Sequence, residues 1–258
     1  MKVLLSNDDG VVAPGIHALF KELTPFHDTT IIAPSEERST TGHSLSLDKP
    51  LRVEKLEDKI YSCSGYPGDC VLVGLGHVLK EARPDIIISG INRGANLGQD
   101  LYYSGTIAAA REAAFHNVPS MAVSLVFESM TDEPHYGVAG TIIKWCLDMG
   151  LHKAIQPLTL ININVPNLPL SQIKGCRLAE IGFRRYSEEI HARIDARGRE
   201  YFWIAGVYEG YNSNPESDCE AVNNGMVSIT PHVLIDGVKR DTSDLAQVIE
   251  RLNAKYFI

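Results

Sequence analysis

The sequence predicts an α/β fold built on a Rossmann-like, doubly wound and mostly parallel sheet. Two observations support this prediction. Short apolar runs, typical of strands buried on both faces, alternate with longer segments of helical periodicity. Polar clusters follow several of these runs where the strands end, and doubly wound sheets bind ligands beyond the carboxyl ends of their strands.

The first half of the chain supplies the alternation. Residues 2–6 form a continuous apolar run, and residues 14–23 place apolar side chains at helical spacings of three and four. Further strands are predicted at 29–34, 51–56, 59–64, 84–90 and 119–125, and further helices at 69–82 and 106–116. Strands separated by helices of this length form parallel βαβ units.

The pattern loosens in the second half. A helix is predicted at 141–150 and a strand at 159–165, after which residues 182–224 are polar with aromatic islands, as in a projecting hairpin. A returning strand is predicted at 225–231. The C-terminal stretch predicts an amphipathic helix with an apolar stripe formed by Leu245, Val248, Leu252 and Tyr256. We expect this stripe to pack on its own subunit or on a partner. We therefore expect a core at 1–181 and an arm, returning strand and C-terminal helix at 182–258.

Composition limits the class of protein. The 258 residues include 44% hydrophobic residues and carry a net charge of −8, which argues against general nucleic-acid affinity. No apolar run has the length of a membrane span, and the apolar start is too short for a signal peptide. Five scattered cysteines without a paired motif are typical of a reducing compartment. We expect a soluble, cytoplasmic protein.

Two adjacent carboxylates, Asp8 and Asp9, end the first strand. Like charges so close repel each other unless a cation neutralises them. Oxygen ligands without thiolate or imidazole favour magnesium, calcium or manganese over zinc. The alternative is a simple Asp-Gly turn with solvated carboxylates, since this dipeptide is common in turns.

A loop rich in glycine and asparagine, residues 89–100, follows the strand at 84–90. The amide oxygen of Asn92 is a ligand that completes a hard-metal shell without adding charge. The glycines permit close approach of a ligand to the backbone, although a glycine-rich turn without a ligand is the alternative.

Two further segments are candidates for binding an anion. Ser104, Gly105 and Thr106 precede the alanine-rich helix, where a hydroxyl caps the helix or the helix N-terminus binds phosphate. The polar loop at 35–46 offers Ser39 as a neutral metal ligand and other polar residues as an anion pocket. A helix cap and a polar loop without a functional role are the respective alternatives.

The residues around Asp8 and Asp9 do not match two known types of hydrolase, a phosphatase and a deacetylase. Aspartyl-phosphate phosphatases of the haloacid dehalogenase type need Asp-x-Asp, but Asn7 and Gly10 occupy the positions two away from Asp9 and Asp8. Zinc deacetylases with an Asp-Asp pair need nearby histidines, and none flanks the pair. The first strand–helix turn also lacks the glycine fingerprints of dinucleotide and ATP sites.

Several ordered motifs now identify a resemblance. The stretches "LLSNDDG", "RSTTGHS", "GYPGDCV", "SGINRGANLGQDLYYSGTIAAA", "AVSL", "LININVPNLP" and "DCEAVNNGMVSITP" are similar to those of the SurE (survival protein E) family of nucleotidases. The resemblance implies a phosphomonoesterase that uses metal-activated water to release phosphate from nucleoside 5′-monophosphates, and in some members from 3′-monophosphates or short polyphosphate.

The resemblance also implies residue roles. One Mg²⁺ or Mn²⁺ per subunit is expected at Asp8, Asp9, Ser39 and Asn92, with Asp8 and Asp9 catalytic. Spacing does not decide which carboxylate is the general base, and we favour Asp9. Phosphate or substrate contacts are expected at Asn7, Gly42, His43, Ser44, Asn96, Ser104, Gly105 and Thr106.

The family dimerises by exchanging C-terminal elements and forms tetramers through projecting hairpins, so the arm and the C-terminal helix are expected to serve in oligomerisation. Two other classes stay open at this point. One is a nucleotide- or phosphate-binding module without activity, and the other is a metal-dependent hydrolase of a different ester.

Overall fold

The structure is a computed structural model that describes residues 1–129, 131–235 and 241–257. Its helices are α1 (Pro14–Leu23), α2 (Pro67–Val73), α3 (Gly105–Phe115), α4 (Tyr136–Asp148), α5 (Asp218–Asn223) and α6 (Ser243–Tyr256). Its strands are β1 (Lys2–Ser6), β2 (Asp28–Pro34), β3 (Val53–Glu57), β4 (Ile60–Cys63), β5 (Ile86–Arg93), β6 (Ser120–Val126), β7 (Thr159–Pro166), β8 (Cys176–Leu178), β9 (Arg184–Tyr186), β10 (Ile190–Ile194), β11 (Glu200–Ile204), β12 (Tyr208–Tyr211) and β13 (Val227–Val233).

Within the described residues, nine strands form one sheet in the order β3-β4-β2-β1-β5-β6-β7-β13-β8. The central strands from β4 to β7 are parallel to their neighbours, whereas β3 and β13 run antiparallel to β4 and β7. The predicted doubly wound, mostly parallel sheet is therefore confirmed.

The continuous apolar runs are explained by burial on both faces. Leu5 and Ile88 pack in the cluster under α1, α4 and α6, while Leu4 and Ile87 pack in the cluster under α2 and α3. Successive side chains of a strand point to opposite faces, so both layers demand apolar residues.

The sheet has its switch point between β1 and β5. From β1 the chain continues through α1 to β2 on one side, while β5, on the other side of β1, continues through α3 to β6. The connections diverge here and leave a crevice beyond the carboxyl ends of the two strands. Asp8 and Asp9 follow β1 directly, and Asn92 lies near the end of β5, so both lie at this crevice.

Most predicted elements lie close to their observed bounds, with three differences. The helix predicted at 141–150 begins earlier, since α4 runs from Tyr136 to Asp148. The returning strand begins at Val227 and not at residue 225, because Gly225 adopts a positive φ of 74° in the preceding turn. The single helix predicted at 69–82 is wrong in extent: α2 begins at Pro67, and a π-helical turn replaces the regular helix at Gly74–Val78.

The polar stretch after residue 182 forms the predicted projecting hairpin. Strand β9 pairs with β12 and β10 pairs with β11, each in a separate two-stranded antiparallel sheet. We call residues 184–211 the arm. Its outer half is unusually apolar for an exposed hairpin, since Ile204 is 91% exposed and Trp203 is 62% exposed.

Helix α6 packs on the chain's own core. Leu245, Val248 and Leu252 are buried in the cluster that also contains α1 and α4, and the ring of Tyr256 stacks on Trp145 with centroids 4.3 Å apart. The exchange of this helix between subunits stays a prediction. In the described ranges no helix combines the length and the apolar character needed to span a bilayer.

Candidate functional site

A tight turn after β1 presents the two carboxylates. The amide nitrogen of Asn7 donates to the Gly10 carbonyl at 2.8 Å, and the Gly10 N–H donates back to Asn7 Oδ1 at 3.2 Å. Asn7 is completely buried, so its amide is fully used inside the turn. We therefore interpret Asn7 as a residue that shapes the turn, in place of the substrate contact expected from the sequence.

The carboxylate of Asp8 lies against the N-terminus of α3. Its Oδ1 accepts a hydrogen bond of 2.5 Å from the Thr106 hydroxyl, and the backbone of Gly105 and Thr106 also contributes hydrogen bonds. A Cβ atom on Gly105 would lie 2.7 Å from Asp8 Cβ, so only glycine permits this approach. The positive end of the helix dipole stabilises the anionic form of the carboxyl group.

Burial nevertheless makes two charges costly here. It raises the pKa of Asp8 despite the hydrogen bonds that lower it. The pKa of Asp9 is raised to about 6, first by burial and then by the charge of Asp8, and the hydrogen bond from the Arg93 N–H offsets this only in part. The pair therefore has the electrostatic properties of a site that a cation completes.

Asn92 reaches the same crevice through a bulge in β5. The pairing of β5 with β6 shifts register between Ser89 and Asn92. At the bulge Gly90 has a φ of +137°, and a Cβ there would lie 2.3 Å from the Val123 carbonyl oxygen. The Asn92 amide nitrogen donates to Gly94 at 3.0 Å, which leaves its Oδ1 for a ligand, and the next N–H, of Arg93, donates to Asp9 Oδ2 at 3.3 Å.

The polar loop at 35–46 is attached to the turn by its backbone. The Arg38 N–H donates to the Asp8 carbonyl at 2.7 Å, so the residue before Ser39 is attached to the turn that carries the carboxylates. The Ser39 hydroxyl donates to Glu37 at 2.8 Å, so its oxygen retains lone pairs for a cation.

The rest of this loop is held by contacts with residues other than the two carboxylates. Gly42 donates its N–H to the Tyr103 carbonyl, and Ser44 donates to the Thr41 carbonyl at 2.6 Å. His43 bonds to Glu112 at 2.8 Å. Glu112 lies about 10 Å along α3 from its first residue, at about 1.5 Å per residue. A histidine paired with a carboxylate at that distance is poorly placed for the phosphate contact expected from the sequence.

Ser104, a predicted phosphate contact, caps α3 by accepting a hydrogen bond from the Ile107 N–H at 3.2 Å.

Asn96, a second predicted contact, is held by buried polar residues that the sequence analysis did not single out. Asn96 donates its N–H to Asn164 Oδ1 at 2.9 Å, its carbonyl accepts from Asn162 at 2.7 Å, and its amide nitrogen donates to Ser124 at 2.8 Å. The sequence does contain a pattern that indicates these two asparagines, because Asn162 and Asn164 alternate with isoleucine and valine in a strand that is otherwise apolar.

A second set of contacts joins the loop at residues 89–100 to the base of the arm. Asp218 accepts hydrogen bonds of 2.9 Å from the N–H groups of both Gly98 and Gly182. Asp100 forms an ion pair of 2.6 Å with Arg184, the first residue of the arm. Residues 98–100 and the start of the arm are therefore held together by charged and polar contacts.

The donor set fits a hard divalent cation. In the part of the chain that the structure describes, no three His, Cys, Asp or Glu side chains cluster as a metal site. A cation at Asp8 and Asp9 would therefore take its other protein ligands from neutral oxygens such as those of Ser39 and Asn92. Carboxylate, hydroxyl and amide oxygens are the ligands that magnesium and manganese accept.

Fold and site together define an α/β protein with two adjacent carboxylates and neutral oxygen donors, a candidate cation site, at the switch point of a doubly wound sheet. A family profile described as "Survival protein SurE" matches residues 3–188. The chain belongs to the SurE family.

Similar proteins cover nearly the whole chain. It is 42% identical over 236 residues to the 5′-nucleotidase SurE of Heliobacterium modesticaldum, which covers 90% of this chain and 85% of that protein. It is also 42% identical over 231 residues to the 5′-nucleotidase SurE of Vibrio vulnificus, covering 90% and 89%. The crystal structure of the SurE protein from Aquifex aeolicus superposes with a TM-score of 0.82 at 32% identity, over 98% of this chain and 99% of that one.

Proposed function

We propose that this protein is a nucleotidase that hydrolyses nucleoside 5′-monophosphates to nucleoside and phosphate, with one divalent cation, Mg²⁺ or Mn²⁺, per subunit. The observation that carries the proposal is the position of two adjacent carboxylates at the switch point, the buried Asp8 against the N-terminus of α3 and the half-buried Asp9 beside it. The names of the relatives from H. modesticaldum and V. vulnificus support the nucleotidase activity.

The cation would be held by Asp8 and Asp9, together with the neutral oxygens of Ser39 and Asn92. When bound, it supplies a Lewis acid that neutralises phosphoryl oxygens and lowers the pKa of a bound water. Thr106 and the first backbone N–H groups of α3 fix the orientation of Asp8. We assign Thr106 this positioning role, in place of direct phosphate binding by its side chain.

Asp9 is the better candidate for the general base. It is more accessible than Asp8, and in the metal-free protein burial and the charge of Asp8 raise its pKa to about 6. Its Oδ2 accepts from the Arg93 N–H, which fixes the orientation of the carboxylate.

The phosphate group would lie between the start of α3 and the loop that carries Asn96. The Ser104 oxygen accepts the helix-capping hydrogen bond, so its hydroxyl proton is available to donate to phosphate. The backbone of Asn96 is fixed by β7, and its amide nitrogen donates to Ser124 of β6. Phosphoryl transfer depends mainly on positioning and charge neutralisation, which these groups would provide.

The test is phosphate release from a panel of nucleoside 5′- and 3′-monophosphates in the presence of Mg²⁺, Mn²⁺ or EDTA. Release that requires a cation and prefers 5′-monophosphates supports the proposal. Release from other phosphate esters alone would indicate a different ester hydrolase, and nucleotide binding without release would indicate a binding module.

We also propose that the arm joins subunits of this protein to one another. The outer strands of the arm expose Ile194, Phe202, Trp203 and Ile204, an apolar surface that a second copy of the chain would cover. Ile204→Asp should shift the sedimentation coefficient toward that of a smaller species. Leu47→Asp is the matched control, since Leu47 is equally exposed but lies far from the arm in sequence; an unchanged coefficient for both variants would reject the role of the arm.

The five cysteines support a further part of the proposal. All five are unpaired and buried. Free thiols persist in a reducing compartment. We propose the cytoplasm as the location of the protein.

A further inference from the structure

A cavity of about 650 Å³ lies at the carboxyl edge of the sheet, beyond β6 and β7. This volume is within the range of about 300–1,000 Å³ that is usual for small-molecule sites. Phe127 and Leu168, which follow these strands, line one side. Val222 of α5 lines another, and Tyr208 and Arg184 of the arm close a third.

The cavity adjoins the proposed catalytic site. Leu97, which lines it, directly follows Asn96. The ring of Phe127 lies 5.7 Å from the Arg93 guanidinium carbon, and the Arg93 N–H bonds to Asp9. Strands β6 and β7 lie two and three positions from β1, which is about 10 and 14 Å at the usual strand spacing. This offset is comparable with the length of a nucleoside.

The lining favours an uncharged aromatic group. Polar and apolar atoms line it in about equal measure, the apolar and aromatic side chains include Phe127, Leu168 and Tyr208, and its charged members are Glu128, Asp132 and Arg184. Because Arg184 is already paired with Asp100, the cavity has no surplus positive charge for a second phosphate. A nucleoside fits this chemistry better than a phosphate chain does.

Arg184 and Tyr208 supply specific contacts. The guanidinium carbon of Arg184 lies 4.2 Å from the centre of the Tyr208 ring. This contact and the ring of Tyr186, whose centroid lies 5.8 Å away, hold the Tyr208 ring, which is still 45% exposed and lines the cavity. Arg184 is itself occupied by its ion pair with Asp100 and by this ring, so its role is to position Tyr208.

We propose that this cavity binds the nucleoside of the substrate, with Tyr208 of the arm stacked on the base as a specificity-determining residue. The inference rests on the proposed nucleotidase function and adds where the base is recognised. It also makes the arm a part of the substrate site.

The experiment compares kcat/KM for nucleoside monophosphates and for methyl phosphate, which has the reacting group but nothing to fill the cavity. Tyr208→Ala removes the ring, and Leu168→Trp fills the cavity. Tyr208→Phe keeps the ring, and Tyr201→Ala removes a tyrosine elsewhere in the arm as the matched control.

We expect Tyr208→Ala and Leu168→Trp to lower kcat/KM for nucleoside monophosphates by about 10-fold or more, the loss typical of a base–aromatic stack. Methyl phosphate hydrolysis should stay at the level of the unsubstituted protein, which also shows that the variants are folded. Tyr208→Phe and Tyr201→Ala should resemble the unsubstituted protein with both substrates.

Three results would overturn the assignment. The first is an equal loss of kcat/KM for both substrates in Tyr208→Ala and Leu168→Trp, and the second is no loss for either substrate. The third is a preference of the unsubstituted protein for tripolyphosphate that disappears in these two variants. Failure of the proposed function is a different result, in which the unsubstituted protein hydrolyses methyl phosphate but no nucleoside monophosphate.

Discussion

The Thr106 hydroxyl donates a hydrogen bond of 2.5 Å to Oδ1 of Asp8, and both side chains are buried. This contact joins the end of β1 to the first turn of α3, elements that are almost a hundred residues apart in sequence. It fixes one carboxylate of the proposed cation site in a single orientation.

Thr106→Val should weaken the site while preserving its shape. The substitution removes the hydroxyl donor from a buried carboxylate, and loss of such a supporting contact typically costs about 10- to 100-fold in metal affinity or activity. Titration calorimetry with Mn²⁺ and kcat with a nucleoside monophosphate measure the two effects. Thr106→Ser, which keeps the hydroxyl, should restore most of both; equal behaviour of the two variants would remove the hydroxyl from the explanation.

Gly105→Ala should displace Asp8. The added methyl group would lie 2.7 Å from Asp8 Cβ and cannot be accommodated without movement. A displacement of about 1 Å at a reacting centre costs about 100-fold in rate. Gly137→Ala in α4 is the control because its Cβ would meet open space, and there the free energy of unfolding should rise by about 0.5–1 kcal/mol with activity unchanged. Near-normal turnover of the Gly105 variant would contradict the close packing.

Stabilisation by a cation should depend on pH. The folded pKa of Asp9, about 6, lies above its ordinary value of 3.8. The metal-free folded state therefore holds this proton more tightly, and the stability that the protonated group contributes is lost as pH rises through about 6. A cation binds the ionised form, so its stabilising effect grows over the same interval.

The melting temperature measures this effect. Mn²⁺ should raise it strongly at about pH 7.5 and little at about pH 5. In Asp9→Asn the cation-induced increase should be small at both pH values, and the metal-free variant should be more stable than the unsubstituted protein at the higher pH. An equal increase at both pH values in the unsubstituted protein would show that Asp9 is not a ligand.

The asparagines of β7 should act on phosphate binding and not on the cation. Asn164→Ala removes hydrogen bonds to both the N–H and the carbonyl of Asn96. Buried contacts of this kind are worth about 1–3 kcal/mol, so the inhibition constant for inorganic phosphate should rise by about 10-fold. The dissociation constant for Mn²⁺ should stay the same.

Ser120→Ala is the matched control for lost stability. It also removes a buried hydrogen bond, from the Ser120 hydroxyl to the Ala110 carbonyl at 2.7 Å, at the opposite end of β6. We expect a lower melting temperature with normal phosphate inhibition. If the Asn164 variant shows the same pattern, the asparagines serve stability alone.

Local sequence was sufficient for the sheet and for placing the polar clusters at its carboxyl edge. Apolar runs such as residues 2–6 and 84–90 predicted strands buried on both faces, and the polar residues that follow them lie together at the switch point, where the candidate site is. Periodicity did not predict the π-helical turn after α2, because glycine-containing helical patterns do not specify how the helix ends.

The long-range contacts could not be predicted in the same way. The direction of the His43 side chain depends on Glu112, and the position of Asn96 depends on β7, at separations of about seventy residues in sequence. The cavity beside the site combines the core, α5 and the arm, so that no single segment of sequence indicates it.

The most direct test of the central claim is phosphate release by the unsubstituted protein, Asp8→Asn and Asp9→Asn, with Mn²⁺ or EDTA. We predict cation-dependent release from nucleoside 5′-monophosphates by the unsubstituted protein. Each variant should lose about 100- to 1,000-fold in kcat, the loss typical of removing one main electrostatic group, while remaining folded. Near-normal turnover of both variants, or release that persists in EDTA, would contradict a cation site built on these two carboxylates.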